Sequence, residues 1–271
     1  MPFENINDAS FFYYSVKHKE ALARMNYAVR QKKLGVLLTG EYGTGKTFLS
    51  RVLKKVFSED KYIFVFVTNP RLNPLEFIKE VHYQLGAKLN ITSPEKMDFL
   101  RSIQEVLEDY ARKGMYAVVV VDEAQSIQRD DLLEEIRLLL NVQSEDSVLF
   151  TLVLLGQPQL EEKVERIPQL KQRLSIRYKL SSLDKEETRE YIDYRLKVAG
   201  SSRSIFTNSA YDEIFSLSKG MPRAINNICD LALLSGFIKK KEMVDKDIVD
   251  HVGEDLGDIK PAEGKNNIDS A

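Results

Sequence analysis

Short apolar runs alternate with longer amphipathic stretches through the first two thirds of the chain. Five runs have the length and the β-branched or aromatic content of buried strands: Leu34–Thr39, Tyr62–Val67, Tyr116–Val121, Val148–Leu155 and Ile176–Leu180. Between them, apolar residues recur at helical spacing near His18–Val29, Phe48–Phe57, Leu75–Leu85, Glu95–Arg112 and Asp130–Asn141, with a short segment at Leu170–Leu174. Strands that alternate with helices favour an α/β fold, with a five-stranded parallel sheet covered on both faces.

The pattern changes from Ser182 onward, where no further strand is predicted. Four helices follow one another, at Thr188–Val198, Ser209–Lys219, Pro222–Ile238 and Asp245–Val252. We therefore predict an αβα core over residues 1–180 and a small all-helical domain over residues 181–253. Residues 254–271 are polar, with scattered glycines and no periodicity, so this tail is expected to be disordered.

Composition says more about the cellular environment of the chain than about the reaction that it performs. The 271 residues carry a formal net charge of −2, which gives no global basic field for binding nucleic acid. Cys229 is the single cysteine and lies in an apolar helical stretch, so a buried structural thiol in a reducing compartment is expected. No apolar run approaches the roughly 20 residues that span a bilayer, and no signal peptide is apparent. The sequence predicts a cytoplasmic protein.

A glycine-rich loop joins the first strand to the next helix. Residues 40–47 read Gly-Glu-Tyr-Gly-Thr-Gly-Lys-Thr, which fits the pattern G-x-x-x-x-G-K-[ST]. In such a loop the glycines let backbone N–H groups face one anion, and the helix N-terminus adds partial positive charge. Lys46 would reach the β- and γ-phosphates of a nucleoside triphosphate, and Thr47 would offer its hydroxyl to Mg²⁺. The predicted nucleotide contacts are Gly40, Glu41, Tyr42, Gly43, Thr44, Gly45, Lys46, Thr47 and Phe48.

Polar side chains follow the third and fourth predicted strands. Asp122 and Glu123 come directly after the third strand. The first carboxylate would hold Mg²⁺, and the second would act as catalytic base or orient the attacking water. Gln157 follows the fourth strand and is the candidate for a γ-phosphate contact that positions water. Asn141 is an alternative for that role, with a helix C-cap as its other interpretation.

Arginines supply the remaining candidate chemistry. Arg173 and Arg177 lie just before and within the fifth strand, and either could reach the γ-phosphate of a neighbouring subunit, with Arg173 the better placed. A surface ion pair is the other interpretation of both side chains. Arg223 lies in the first turn of a helix, where a cation opposes the helix dipole, so a phosphate contact would explain its position.

These motifs, in this order, resemble the AAA+ ATPases. The resemblance is strongest to the group around general secretion pathway protein A, the ExeA and GspA type, with its pilus-biogenesis relative MshM. It covers roughly residues 8–252 and rests on six segments: Phe12-Tyr13-Tyr14-Ser15-x-x-His18, the glycine loop, Val121-Asp122-Glu123-Ala124-Gln125, Leu155-Gly156-Gln157-Pro158, Gln172-Arg173-Leu174 and Gly220-x-Pro222-Arg223.

The resemblance implies a P-loop core, a helical lid, Mg²⁺ and ATP at their junction, and assembly into rings or filaments. By the same resemblance, Gln157 takes the sensor-1 role, Arg173 the arginine finger and Arg223 the sensor-2 role, while the aromatic segment within residues 1–33 lies near the adenine. Members of the group often continue into a transmembrane helix and a peptidoglycan-binding domain. The sequence ends after the lid, so we expect the ATPase module alone, bound to the inner face of the membrane only through a partner.

Three functions remain open at this point. The first is a Mg²⁺-dependent ATP hydrolase that drives or switches a cell-envelope assembly, such as type II secretion, a type IV pilus or exopolysaccharide export, through a protein partner. The second is a regulator of DNA transposition or DNA loading, for which the basic patches are Arg30–Lys33 and Lys239–Lys241. The third is a nucleotide-dependent adaptor that does not hydrolyse ATP, against which the complete Asp122–Glu123 pair argues.

Overall fold

The computed structural model describes residues 1–5, 8–89, 91–128, 130–144 and 147–258. The chain divides into two compact units. One unit comprises Tyr14–Ser181, and the other comprises Met1–Tyr13 together with the chain from Ser182 onward.

The first unit is built on a parallel sheet. Its strands, in chain order, are β1 (Gly35–Gly40), β2 (Tyr62–Val67), β3 (Tyr116–Val121), β4 (Gln143–Ser144), β5 (Ser147–Val148), β6 (Phe150–Gly156) and β7 (Ile176–Leu180). Five of them form one sheet in the order β2-β3-β6-β1-β7, and every pairing in it is parallel. The predicted five-stranded parallel sheet is confirmed. The antiparallel pair β4–β5 just before β6 was not predicted.

Seven α-helices connect or cover these strands. They are α1 (Val16–Arg30), α2 (Lys46–Val56), α3 (Pro74–Gln84), α4 (Lys96–Arg112), α5 (Asp130–Leu139), α6 (Gln159–Glu165) and α7 (Pro168–Arg173). Local chemistry sets several helix starts: Ser15 accepts a hydrogen bond from the backbone N–H of His18, and Asn73 forms a capping box with Glu76.

The order of the strands places the carboxyl ends of β1, β3 and β6 side by side. Strands β1, β3 and β6 are buried along their whole lengths, as expected for the middle of a covered parallel sheet. Val121 pairs with Leu154, and Leu38 pairs with Leu155, so the three strands end at nearly the same level. Polar residues just beyond these ends therefore meet at one edge of the sheet.

The described residues of the second unit form four further helices, α8 (Lys185–Val198), α9 (Asn208–Ser218), α10 (Pro222–Ile238) and α11 (Lys246–Asp258). They pack around a separate hydrophobic core that includes Ile192, Ile214, Ile225 and Val249. Cys229 is fully buried in this core, and burial raises its pKa well above the ordinary value.

Helix α11 corrects the predicted start of the tail. Residues 254–258 continue this helix, whereas the sequence placed them in a disordered segment. Leu256 continues the apolar stripe of Val249 and Val252 and packs against the core of this unit. It is the one apolar residue among residues 254–258, so the sequence pattern did not reveal this extension. The remainder of the predicted tail, residues 259–271, lies outside the described residues.

The N-terminal segment is a second correction. Residues 1–13 were assigned to the α/β core, but they belong to the helical unit. Phe3 is buried there and packs edge-on against Phe206. Arg195 donates hydrogen bonds to the carbonyl oxygens of Pro2 at 2.6 Å and Glu4 at 2.9 Å. Aromatic burial and the buried side chain of Arg195 hold the segment to the helices, and neither contact was visible in local sequence patterns.

Candidate functional site

The loop between β1 and α2 has the backbone shape that its glycines permit. Gly45 is the N-cap of α2 and has a φ angle of 96°, in the left-handed region that favours glycine. A Cβ atom at this position would also lie 3.3 Å from His18 Nε2. Helix α2 therefore begins directly after the loop, and its first-turn N–H groups face the loop region without intrahelical partners.

Lys46 is a buried cation at the start of α2. Its side chain curls back over the loop, where Nζ donates to the carbonyl oxygens of Gly40 at 2.7 Å and Glu41 at 2.9 Å. Burial lowers the pKa of Lys46, while the negative charges of Glu123, Asp122 and Glu41 act in the opposite direction. The ammonium group is thus held where the glycine loop, the end of β3 and Glu41 converge.

Thr47 and Asp122 bring two oxygen ligands together. Thr47 Oγ1 donates to Asp122 Oδ2 at 2.6 Å, across the gap between α2 and the end of β3. Asp122 Oδ1 accepts from the backbone N–H of Glu123 at 2.9 Å. Burial raises the pKa of Asp122, and these two hydrogen bonds oppose that shift. Adjacent hydroxyl and carboxylate oxygens are ligands that a hard divalent cation accepts.

The described residues contain no cluster of three or more His, Cys, Asp or Glu side chains suited to a metal ion. A cation at the Thr47–Asp122 pair would therefore take its remaining ligands from water and from phosphate oxygens. This is the usual coordination of Mg²⁺ in phosphoryl-transfer sites.

Glu123 is fixed beside this pair by an unusual backbone conformation. Its φ angle is 51°, in the left-handed region, at the turn from β3 into a 3-10 helix at Ala124–Ser126. Its carboxylate Oε2 accepts from Gln125 Nε2 at 2.5 Å. A carboxylate at the end of a central strand, next to the phosphate loop, is placed to accept a proton from water.

Gln157 lies directly after β6 and is joined to Glu123 through Gln125. The backbone N–H of Gln157 donates to Gln125 Oε1 at 3.0 Å. Structure therefore brings Lys46, Thr47, Asp122, Glu123 and Gln157 to one edge of the sheet.

His18 and Ser15 brace the outside of the glycine loop and were not predicted as site residues. His18 Nε2 lies 3.0 Å from the carbonyl oxygen of Thr44, which can only accept, so Nε2 carries the proton. Nδ1 then accepts from Ser15 Oγ at 2.7 Å. His18 is buried, and both of its ring nitrogens are used. The resembling N-terminal segment contained both residues, but their contact with the loop depends on tertiary structure.

Arg173 and Arg177 are bonded outside this group of residues. Arg173 donates to the carbonyl oxygen of Arg137 at 2.8 Å and to the side chain of Asn141, both at the end of α5. Arg177 pairs with Glu165 at 2.7 Å. Asn141, the alternative to Gln157, lies just after the end of α5 and accepts a hydrogen bond from Arg173.

Arg223 lies in the first turn of α10, as the sequence indicated, and its side chain is exposed. Among the described residues, no helix has both the length and the hydropathy needed to cross a bilayer.

Comparisons with known proteins identify relatives of this chain. The family model described as AAA domain matches residues 29–164. General secretion pathway protein A from Aeromonas hydrophila is 36% identical over 242 residues, which are 88% of this chain and 43% of that protein. The chain thus spans less than half the length of this curated relative.

Solved structures share the fold at low sequence identity. The Aeropyrum pernix ORC2 protein in ADPNP and ADP complexes superposes with a TM-score of 0.71 at 16% identity, covering 96% of this chain and 72% of that one. The Thermotoga maritima RuvB Holliday junction branch migration motor superposes with a TM-score of 0.64 at 18% identity, covering 94% of this chain and 73% of that one. At this level of identity the likeness concerns the fold alone.

Proposed function

Because the chain belongs to the AAA domain family, we propose that it binds ATP with Mg²⁺ at the β1–α2 loop and hydrolyses it. The observation that carries this proposal is the joining of three strand ends by hydrogen bonds. Lys46 lies over the loop after β1, Thr47 bonds to Asp122 after β3, and Gln125 joins Glu123 to Gln157 after β6.

Each residue has a separate task in the proposed reaction. The loop N–H groups, the start of α2 and the Lys46 ammonium bind the phosphates. Glu123 accepts a proton from water as the water oxygen forms a bond to the γ-phosphorus. The bond between the γ-phosphorus and the bridging oxygen of ADP breaks, so the products are ADP and inorganic phosphate. Gln157 orients the water in this scheme, and Arg223 is the proposed further contact to phosphate.

Thr47 and Asp122 would hold Mg²⁺ through the hydroxyl of the one and the carboxylate of the other. When bound, the ion neutralises charge on the β- and γ-phosphate oxygens. Asp122 fits this role because its buried carboxylate already accepts two hydrogen bonds, and burial favours a compensating positive charge.

An arginine supplied by a neighbouring copy would complete the site. Arg173 is the first candidate and Arg177 the second, so the proposal includes a homo-oligomer, as a ring or a filament. Stabilisation of transition-state charge by such an arginine is worth about 10³-fold or more in turnover where it is used. The partners of Arg173 at the end of α5 would be exchanged for phosphate when subunits associate.

The proposed biological role rests on the similarity to general secretion pathway protein A. We infer a cytoplasmic ATPase module that drives or switches a cell-envelope assembly, at the inner face of the membrane through a protein partner. A non-hydrolysing adaptor is the competing function. Such an adaptor would need no catalytic carboxylate. The chain retains Glu123 and joins it to Gln157 through Gln125, which supports hydrolysis.

Calorimetry with ATP and Mg²⁺ tests the binding step. We expect one site per chain in the parent protein and loss of most affinity in Lys46→Ala, because a buried charge-assisted contact to phosphate is removed. Lys55→Ala is the matched control, since Lys55 lies on the same helix but is exposed. Equal affinity in Lys46→Ala and Lys55→Ala would show that the loop is not the phosphate site.

A further inference from the structure

Gln125 makes more contacts at the site than its place in the sequence suggests. It lies two residues after Glu123, in the 3-10 helix that follows β3. Its Nε2 donates to Glu123 Oε2 at 2.5 Å, and its Oε1 accepts from the backbone N–H of Gln157 at 3.0 Å. The two groups of one amide therefore join the ends of two neighbouring strands, β3 and β6.

The partners fix which way the amide faces. A backbone N–H can only donate, so the atom beside Gln157 must be the oxygen of Gln125, and the nitrogen must face Glu123. A carboxylate accepts hydrogen bonds and cannot donate when ionised, which agrees with a nitrogen donor at that end. A hydrogen bond to a charged acceptor is also stronger than one between neutral groups.

The backbone of Gln125 is held from a different direction. Lys163 on α6 donates from Nζ to the carbonyl oxygen of Gln125 at 2.7 Å and to that of Ile127 at 2.5 Å. The segment after β3 is thereby tied to α6, and the side chain of Gln125 extends from a fixed support. Close packing adds to this, since a Cβ atom at Gly156 would lie 3.0 Å from Gln125 Oε1.

Glu123 depends on these contacts for the direction of its side chain. Its backbone is in the left-handed region, and its side chain is only half-buried. Without a partner, the two outer torsions of a glutamate side chain are free to rotate. The Gln125 hydrogen bond occupies one carboxylate oxygen and leaves the other for a water proton.

We propose that Gln125 is a positioning residue for ATP hydrolysis: it aims the Glu123 carboxylate and couples it to the Gln157 end of β6. This inference rests on the proposed ATPase function. It gives Gln125 no contact with nucleotide, so its loss should reduce turnover and leave nucleotide binding in place.

Two substitutions distinguish orientation of the Glu123 carboxylate from simple structural support of the segment after β3. Gln125→Leu removes both hydrogen bonds at similar volume. Gln125→Glu keeps the acceptor for the Gln157 N–H but replaces the donor with an oxygen that repels Glu123. Gln128→Ala is the matched control, because Gln128 is exposed and lies three residues further along the same segment.

Steady-state phosphate release and ATP binding are measured for each variant. We expect ATP affinity within about twofold of the parent and a 10- to 100-fold lower kcat, on the order of the loss that follows misplacement of a catalytic group. The greater loss is expected in Gln125→Glu, because it repels the carboxylate. Gln128→Ala should match the parent.

Two results would overturn the inference while the parent hydrolyses ATP. One is an unchanged kcat in both Gln125 variants. The other is weaker ATP binding with unchanged kcat, which is the effect of a purely structural tie. A parent without phosphate release overturns the ATPase proposal itself, and the catalytic role of Gln125 with it. In a ¹H–¹⁵N spectrum, an unmoved Gln125 side-chain amide signal in Glu123→Ala would overturn the contact independently of activity.

Discussion

At the scale of single residues, His18 shows how the loop is supported from outside the motif. Its Nε2 donates to the Thr44 carbonyl at 3.0 Å, and its Nδ1 is held by Ser15, which also caps α1. The imidazole thereby connects the start of α1 to the middle of the phosphate loop. A loop held in this way loses less conformational entropy when a phosphate binds.

We expect His18→Ala to weaken ATP binding about fivefold, which corresponds to about 1 kcal/mol for one intramolecular hydrogen bond. His251→Ala is the control, since His251 is exposed on α11. Titration with a fluorescent ATP analogue measures both. An unchanged dissociation constant in folded His18→Ala protein would mean that the loop is equally ordered without the imidazole.

The site residues that the sequence predicted differ in one physical respect from those that it did not. Lys46 and Thr47 were predictable because the glycines of the loop specify a local backbone conformation. That conformation determines where the two residues lie. His18 and Gln125 were not predictable, because their partners lie 26 and 32 residues away in the chain. A histidine or glutamine carries no local signal of a distant carbonyl or N–H group.

At the scale of elements, apolar runs predicted the sheet closely because its central strands are buried on both faces. The predicted bounds of β3, a central strand, are those observed, and so are the predicted bounds of β7 at the edge of the sheet. Helix α6 was missed because its seven residues are too few to show a helical period. Its position matters, since Lys163 on α6 supports the segment that carries Gln125.

Arg173 is the last residue of α7, and its proposed action on a neighbouring subunit can be tested directly. We expect Arg173→Ala to bind ATP normally and to lose about 10³-fold in turnover. Arg173→Ala keeps Glu123, and Glu123→Gln keeps Arg173. When the two variants are mixed, some interfaces pair a pocket that contains Glu123 with a neighbouring chain that supplies Arg173.

Activity of the mixture should then exceed the sum of the two variants, with light scattering to show mixed oligomers. Activity equal to that sum in mixed oligomers would place the action of Arg173 within its own chain or remove it from catalysis. Arg177→Ala, mixed in the same way, tests the second candidate.

Substitution in the turn before α10 tests what stabilises the helical unit. Gly220 has a φ angle of 72°, and a Cβ atom there would lie 1.9 Å from the carbonyl oxygen of Leu183. We expect Gly220→Ala to destabilise this unit by about 3 kcal/mol. Burial hides the Cys229 thiol and raises its pKa, so its labelling by a thiol reagent reports opening of the unit.

Labelling of Cys229 should accelerate about 100-fold in Gly220→Ala. Gly257→Ala is the control, because no atom lies within 4 Å of a Cβ built there. Equal labelling rates in the two variants would contradict the steric account of this turn.

At the scale of the whole molecule, charge favours a protein partner over DNA. The chain has a net charge of −2, and its two basic patches are partly used internally. Arg30 bonds to Asn26 and lies over the ring of Phe57. Lys241 is paired with Asp245 at 2.6 Å. The Asp245 carboxylate neutralises Lys241, which leaves one charge fewer to displace counterions from a phosphate backbone.

The N-terminal segment marks the limit of prediction at this scale. Local pattern placed residues 1–13 with the sheet because they precede it in the chain. Burial of Phe3 and the hydrogen bonds of Arg195 assign them to helices almost two hundred residues later. Such pairing between distant parts of a chain leaves no periodicity in either segment.

Phosphate release from ATP by Glu123→Gln protein is the measurement that tests the central claim most directly. We expect the parent to release phosphate in the presence of Mg²⁺ and Glu123→Gln to bind ATP with similar affinity. Its turnover should be at least about 100-fold slower, because an amide cannot accept the proton of the attacking water. Phosphate release at the parent rate by ATP-bound Glu123→Gln would contradict the account, since the base would then lie elsewhere.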